Sequence, residues 1–182
     1  MIAQRLPMAN APAAVGRGMD FEAFFSANVD RARRLAWRLL DGDAAAADDV
    51  VQDAFVKAYR SLASFRTQAR IETWFYRILV NEAKNHRRWR QVRRLFGIRS
   101  QRDAEPRHAV QCEPDLRRRI SQALGHLSAP QRDACILVYL EGFTVKEAAR
   151  ILDKAEGTVK THLHRAVRSL RAELADYQEP SS

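Results

Sequence analysis

Cysteine is scarce: the chain of 182 residues holds two, Cys112 and Cys135, too few for the disulfide framework that staples small secreted domains. Both fit a reducing compartment. Long apolar runs are missing as well. One of the longest, Ala134 to Leu140, falls far short of the ~20 residues that cross a bilayer, so no transmembrane helix and no stable membrane insertion are expected. Met1 to Gly18 lack a sustained apolar stretch and do not read as a secretory signal. Small residues, Pro and Gly dominate there, which reads as a disordered leader over 1–18. The expected location is therefore cytoplasmic. No Gly-rich phosphate loop, nucleophile elbow or supported carboxylate pair occurs. With no catalytic constellation, the chain reads as not an enzyme, and no cofactor or small-molecule substrate is expected.

What the chain has in excess is positive charge, with 31 Lys and Arg against 22 Asp and Glu, a net +9. That balance favours a polyanionic partner such as nucleic acid. It also has helical periodicity. Phe21, Phe24, Phe25, Val29, Ala32, Leu35, Ala36 and Leu39 form one apolar stripe, and Gly42 ends it. Asp43 is placed to cap a second helix, whose stripe of Val50, Val51, Ala54, Phe55, Ala58 and Leu62 runs to about Leu62. A third helix carries Trp74, Phe75, Ile78, Leu79 and Ala83 inward and continues into the basic run Arg87, Arg88, Arg90, Arg93 and Arg94. No segment alternates with period two, and the expected class is all-α.

Between Gly97 and Glu113 no face is left to bury, so 97–114 reads as a flexible linker between a domain over 19–96 and a second over 115–176, with 177–182 as a tail. The stripe returns as Leu116, Ile120, Ala123, Leu124 and Leu127. Ser128 and Gln131 then form a capping box with Pro130 in the first turn, opening a helix with Ile136, Leu137 and Leu140 that Gly142 stops. Thr144 and Glu147 form a second box before Ala148, Ala149, Ile151 and Leu152. After a break at Asp153 to Ala155, a basic helix turns Val159, Leu163, Val167, Leu170 and Leu174 inward. Lys160, Thr161, His164, Arg165 and Arg168 are left outward. Short helix, tight turn and basic helix make a helix-turn-helix, whose second helix enters a major groove.

These residues resemble a known family. Leu127-Ser-Ala-Pro-Gln-Arg132, Glu141-Gly142, Glu147-Ala-Ala149, Gly157-Thr-Val-Lys160 and Leu163-His-Arg-Ala166 look like the C-terminal domain of extracytoplasmic-function (ECF) sigma factors of the sigma-70 family. Asp48-Asp-Val-Val-Gln-Asp-Ala-Phe55, Phe65-Arg66 and Thr73-Trp-Phe-Tyr-Arg-Ile78 through Asn81 look like the N-terminal, region 2 domain of the same family. The two sets lie in the expected order on either side of the linker, and cover nearly all of the chain after Asp20.

The resemblance implies a subunit that binds bacterial core RNA polymerase and directs it to promoter DNA, and whose free form is held by an anti-sigma factor. Asp48, Asp49, Gln52 and Asp53 would dock on the polymerase. The upstream edge of the melted element, the minus-10, would fall to Arg66, Trp74, Tyr76, Arg77, Asn81, Lys84, Asn85, Arg87 and Arg88, since splayed bases need stacking surfaces and Arg side chains. Of these, spacing gives Trp74 mainly to packing, and the Asn81 carboxamide can both donate to and accept from a base edge. The loop residues Thr67, Gln68 and Ala69 depart from the commoner choices. The minus-35 element would fall to Thr144, Glu156, Thr158, Lys160, Thr161, His164, Arg165 and Arg168 in the region 4 domain. Asp153, Lys154 and Ala155 replace the usual Gly, apolar residue and Ser of the turn, and His162 stands where Arg is common.

His162 and His164, two apart on a helix, cannot share a metal. His108 and Cys112 are two ligands where a closed zinc site needs four, so no metal is assigned. Two other readings compete. A sigma-like protein that only sequesters a regulator would need neither the basic run nor the basic recognition helix. A one-domain helix-turn-helix regulator would leave the match around Asp48 to Asn81 unexplained.

Overall fold

The computed structural model describes residues 20–62, 65, 70–96 and 114–175. Among them there are helices and turns and no strand. Helix α1 (Phe21–Leu39) starts on Asp20, whose carboxylate accepts from the N–H groups of Glu22 and Ala23 at 3.0 and 3.1 Å, satisfying donors that a helix start leaves open. It ends in two left-handed residues, Asp41 (φ 58°) and Gly42 (φ 85°). The Gly42 N–H closes the end on the Trp37 carbonyl at 2.9 Å. A Cβ at 42 would also press to 3.4 Å on the Trp37 ring. Asp43 then caps α2 (Ala44–Ser61) by accepting from Ala46 N–H at 3.0 Å.

Helix α3 (Ile71–Leu95) completes a three-helix unit. At its centre Phe75, fully buried, stands 4.4 Å from the Phe55 ring and 5.4 Å from Phe24. Burying one such ring is worth roughly 1.5–3 kcal/mol, and tilted and edge-on pairing adds about 0.5–1.5 kcal/mol.

The second half holds α4 (Pro114–His126), α5 (Ala129–Cys135), α6 (Val145–Leu152) and α7 (Glu156–Glu173). The Ser128 N–H donates to Gln131 Oε1 at 3.3 Å, closing the return arm of the expected box. The helix expected to run regularly to Leu140 widens instead into a π-helical segment over Ile136–Leu140. There the Glu141 N–H reaches back to the Ile136 carbonyl at 2.9 Å and the Phe143 N–H to that of Leu137 at 3.0 Å. Gly142, at φ 73°, makes the stop. Thr144 and Glu147 form a complete capping box for α6, and Asp153, left-handed at φ 56°, ends that helix. Ile120, expected inward, is 37% exposed, while Leu127, Cys135 and Ala166 form a small core of their own.

The halves do not stand apart. One apolar core runs from Phe24, Leu35 and Phe55 through Phe75 and Tyr76 to Ile136, Leu137, Phe143, Ile151 and Val159. Helix α6 lies on α3, and the π segment reaches α1. Of the linker expected over 97–114, residues 97–113 lie outside the described residues, and α4 begins at Pro114.

Candidate nucleic-acid interface

Helix α3 has two faces. Thr73, Phe75, Tyr76, Leu79, Val80 and Ala83 are buried. Arg77, Asn81, Asn85 and Arg88 are exposed at offsets of four, four and three, which places them on one stripe. Beside it Trp89 is 68% exposed. This is a large aromatic surface between Arg88 and Arg93 that sequence reasoning did not single out, although its position four residues after Asn85 was the available signal.

Not every residue assigned to the minus-10 element lies on that stripe. Tyr76 is fully buried, its hydroxyl donating to Asn28 Oδ1 at 3.3 Å and its ring edge-on to Phe143 at 5.2 Å. Burial pushes its pKa up to about 12. In this conformation it meets no base, which corrects its placement on the DNA face. Trp74 is half-buried against the Phe65 ring at 5.0 Å, so it belongs to packing.

Arg87 is turned inward. It donates two 2.8 Å bonds to the Asp133 carboxylate and one of 3.3 Å to the Leu39 carbonyl. Burial works against its charge, but Asp133 outweighs burial and leaves the pKa raised. Lys84 is half-buried, and loss of solvent lowers its pKa against the opposing pull of Asp133. Arg66 lies outside the described residues, as do Thr67, Gln68, Ala69, His108 and Cys112.

On α2, Asp48, Asp49, Gln52 and Asp53 are all exposed, opposite the buried Val50, Val51, Ala54 and Phe55. Asp48 pairs with Arg33 at 3.1 Å. Val56 and Tyr59, 40% and 65% exposed, extend that surface with apolar area.

Helix α7 exposes Glu156, Thr158, Lys160, Thr161, His164, Arg165 and Arg168. It is anchored by Val159, Leu163 and Ala166, while Val167, Leu170 and Leu174 are half-buried. Ala166 was missed as an anchor because its small side chain breaks the run of large apolar residues. Two hydroxyls in the expected set are already engaged, Thr161 on the Gly157 carbonyl at 2.9 Å and Thr144 on Glu147 at 2.8 Å. Ala155 leaves the start of α7 without a side-chain cap. His162 is half-buried and His164 exposed. Among the described residues no group of three or more His, Cys, Asp or Glu is placed to hold a metal ion, and no helix is long and apolar enough to cross a membrane.

Residues 24–93 match the family described as sigma-70 region 2, and residues 117–170 match sigma-70 region 4. The ECF RNA polymerase sigma factor SigM of Mycobacterium tuberculosis is 33% identical over 155 residues, 85% of this chain and 75% of that one. The chain belongs to the ECF sigma factors of the sigma-70 family. It is a promoter-directing subunit of RNA polymerase, in a family of non-catalytic initiation factors. Two solved structures share its fold. The sigma factor RpoE of Bartonella quintana, crystallised with the anti-sigma factor NepR, superposes with a TM-score of 0.70 at 31% identity, covering 87% of this chain and 99% of that one. CnrH in complex with the cytosolic domain of CnrY gives 0.65 at 26% identity, covering 86% and 89%.

Two contributors to the sigma factor's geometry escaped sequence reasoning. Asp133 and Glu141 lie four residues either side of the buried Leu137, so both acids share its inward register. That spacing was the signal available.

Proposed function

We propose that this sigma factor divides its work among three exposed helix faces. The acidic face of α2, with Asp48, Asp49, Gln52 and Asp53, docks on a basic surface of core polymerase, and Val56 and Tyr59 add apolar contact area. The stripe Arg77, Asn81, Asn85 and Arg88 on α3 holds the melted upstream element. Arg66 is assigned to the same surface, and Lys84 and Arg87 join it only in a conformation other than the one described. The outward residues of α7, from Glu156 to Arg168, read the second element in duplex form, with base edges at the helix start and phosphates met by Arg165 and Arg168. The region 2 domain over 19–96 and the region 4 domain over 115–176 are the units of this division. An anti-sigma protein is a proposed further partner, since RpoE of Bartonella quintana, which shares this fold, is crystallised with one. The site of action is the cytoplasm, where the polymerase works.

The observation that carries this reading is charge segregation at fixed helical register. Acids gather on the exposed face of α2, Arg and Asn on that of α3, and Lys, His and Arg on that of α7. A face rich in carboxylates repels DNA, and a face rich in guanidinium attracts it. Charge reversal of Asp49 and Asp53 to Lys should abolish capture of core polymerase while the free chain keeps its affinity for duplex promoter DNA. Arg165→Ala and Arg168→Ala should do the opposite. If both sets lose the same activity, the division is wrong.

A further inference from the structure

We propose that Trp89 is a stacking platform for the melted promoter strand, its exposed indole taking the face of one unpaired base about three to four nucleotides along the strand from the base met by Asn81. The inference rests on the reading of α3 as the face that holds the melted element, and names the residue that supplies the stacking there. Separated strands lose stacking energy, and an element stays open when protein surface replaces it. The aromatics expected to do so are engaged elsewhere. Trp74 is half-buried against Phe65, and Tyr76 is fully buried. Among the aromatic side chains of α3, Trp89 alone is exposed.

Trp89 follows Asn85 by four residues and Asn81 by eight, so it falls on the same side of the helix as both, about 12 Å along the axis from Asn81. That length is three to four steps of a stacked strand at about 3.4 Å each. Beyond Trp89 the face turns apolar. Val92 follows, and Leu95 and Phe96 are 78% and 76% exposed. The Phe96 N–H still closes a helical turn on the Val92 carbonyl at 3.1 Å. Little of this area serves packing, since after Ala83 no α3 residue whose burial is described is buried. The helix end is tied down instead by charge, Arg90 lying 3.6 Å from Asp43 at the start of α2. A contiguous exposed apolar patch marks a binding surface, and the charge around it selects the partner. Arg88 and Arg93 flank Trp89, and no acid stands between Glu82 and Phe96. A surface that joins flat rings to guanidinium groups, and continues the Asn81 stripe without a gap, suits a strand of bases and phosphates. Every base has a face to stack, so Trp89 governs how firmly the strand is held and leaves the choice of sequence to its neighbours.

Holoenzyme assembled from the full chain and sigma-free core polymerase, titrated with a promoter fragment whose minus-10 element is already unpaired, tests this. Trp89→Ala should weaken binding roughly 5- to 150-fold, equivalent to about 1–3 kcal/mol for one stacked base. Trp89→Phe should keep most of the affinity, and Trp89→Leu should not. Replacing the nucleotides of the element one at a time by abasic sites locates the stacked base. At one position the wild-type affinity should drop and Trp89→Ala should cost nothing further. Each variant should melt within about 1 °C of the wild type, because the side chain is exposed. Full affinity in Trp89→Leu, or loss of core polymerase capture in Trp89→Ala, would make this an apolar protein-docking face and overturn the platform. A Trp89→Ala cost that persists at every abasic position would overturn it as well. Asn81→Ala in the same titration separates the two levels. Loss of affinity with Asn81→Ala but none with Trp89→Ala refutes the platform alone, whereas no loss with either refutes the reading of α3 beneath it.

Discussion

Arg87 and Arg88 are neighbours on α3 with opposite surroundings, and replacing each by Ala should give two unlike phenotypes. The Arg87 side chain is 17% exposed and that of its partner Asp133 3%. Removing one member of a buried, hydrogen-bonded pair costs about 3–5 kcal/mol, because the other charge is left without its partner. The Arg87 side chain keeps partial contact with water, so the low end of that range applies, about 3 kcal/mol. For a chain of this length each kcal/mol lowers Tm by about 2–4 °C, so Arg87→Ala should melt about 6–12 °C lower. Arg88 is exposed, and Arg88→Ala should leave Tm within about 1 °C, as surface substitutions do. Its effect belongs in DNA binding, where one lost phosphate contact on the melted strand flattens the plot of log affinity against log salt by about 0.7. Differential scanning calorimetry and a salt titration of a fluorescent promoter fragment measure the two quantities. An Arg87→Ala chain that melts with the wild type would refute the buried bridge, and an unchanged salt slope for Arg88→Ala would refute the stripe.

Ala155→Ser should raise stability by about 1 kcal/mol, read as a higher urea midpoint at unchanged slope, because position 155 already has the extended geometry of an N-cap and lacks only the hydroxyl. Asn81→Ala should impair promoter opening, followed by permanganate reactivity of unpaired thymines, while core polymerase capture stays at the wild-type level. Tyr76 should ionise near pH 12 in an ultraviolet titration. Its raised pKa favours the neutral, folded form, so that contribution to stability is complete below about pH 10 and is lost as the pH climbs toward 12. The Tyr76→Phe chain should lack that alkaline loss.

Helix positions were readable from the sequence because their signals are local. Asp20, Asp43 and Thr144 cap, Gly42 and Gly142 stop, and apolar residues recur at the helical period. The recognition helix was readable for the same reason. What escaped depends on contacts between residues far apart in the chain. Tyr76 looks like a free aromatic beside Trp74 and Phe75 until Phe143, 67 positions later, covers it. The α3 core face was read correctly at Phe75, Leu79 and Ala83, which are buried, but was extended to Trp74 and Ile78, which are half-buried, and left out Tyr76 and Val80. The buried register is Tyr76, Val80 and Ala83, and its next step is Arg87. That arginine reads as one more member of a basic run, and its carboxylate partner sits 46 positions away. The π widening at Ile136–Leu140 has no composition signal, since the run Ile-Leu-Val-Tyr-Leu serves a regular helix equally well.

The central claim is that this chain directs polymerase to promoters. Transcription reconstituted from the purified protein, sigma-free bacterial core polymerase and a library of genomic promoter fragments tests it most directly. The account predicts discrete transcripts that require the protein, start downstream of a shared pair of sequence elements, and vanish with Asn81→Ala or with Arg165→Ala combined with Arg168→Ala. Failure of the protein to bind core polymerase would contradict it, and would favour a chain that keeps this fold to sequester a regulator.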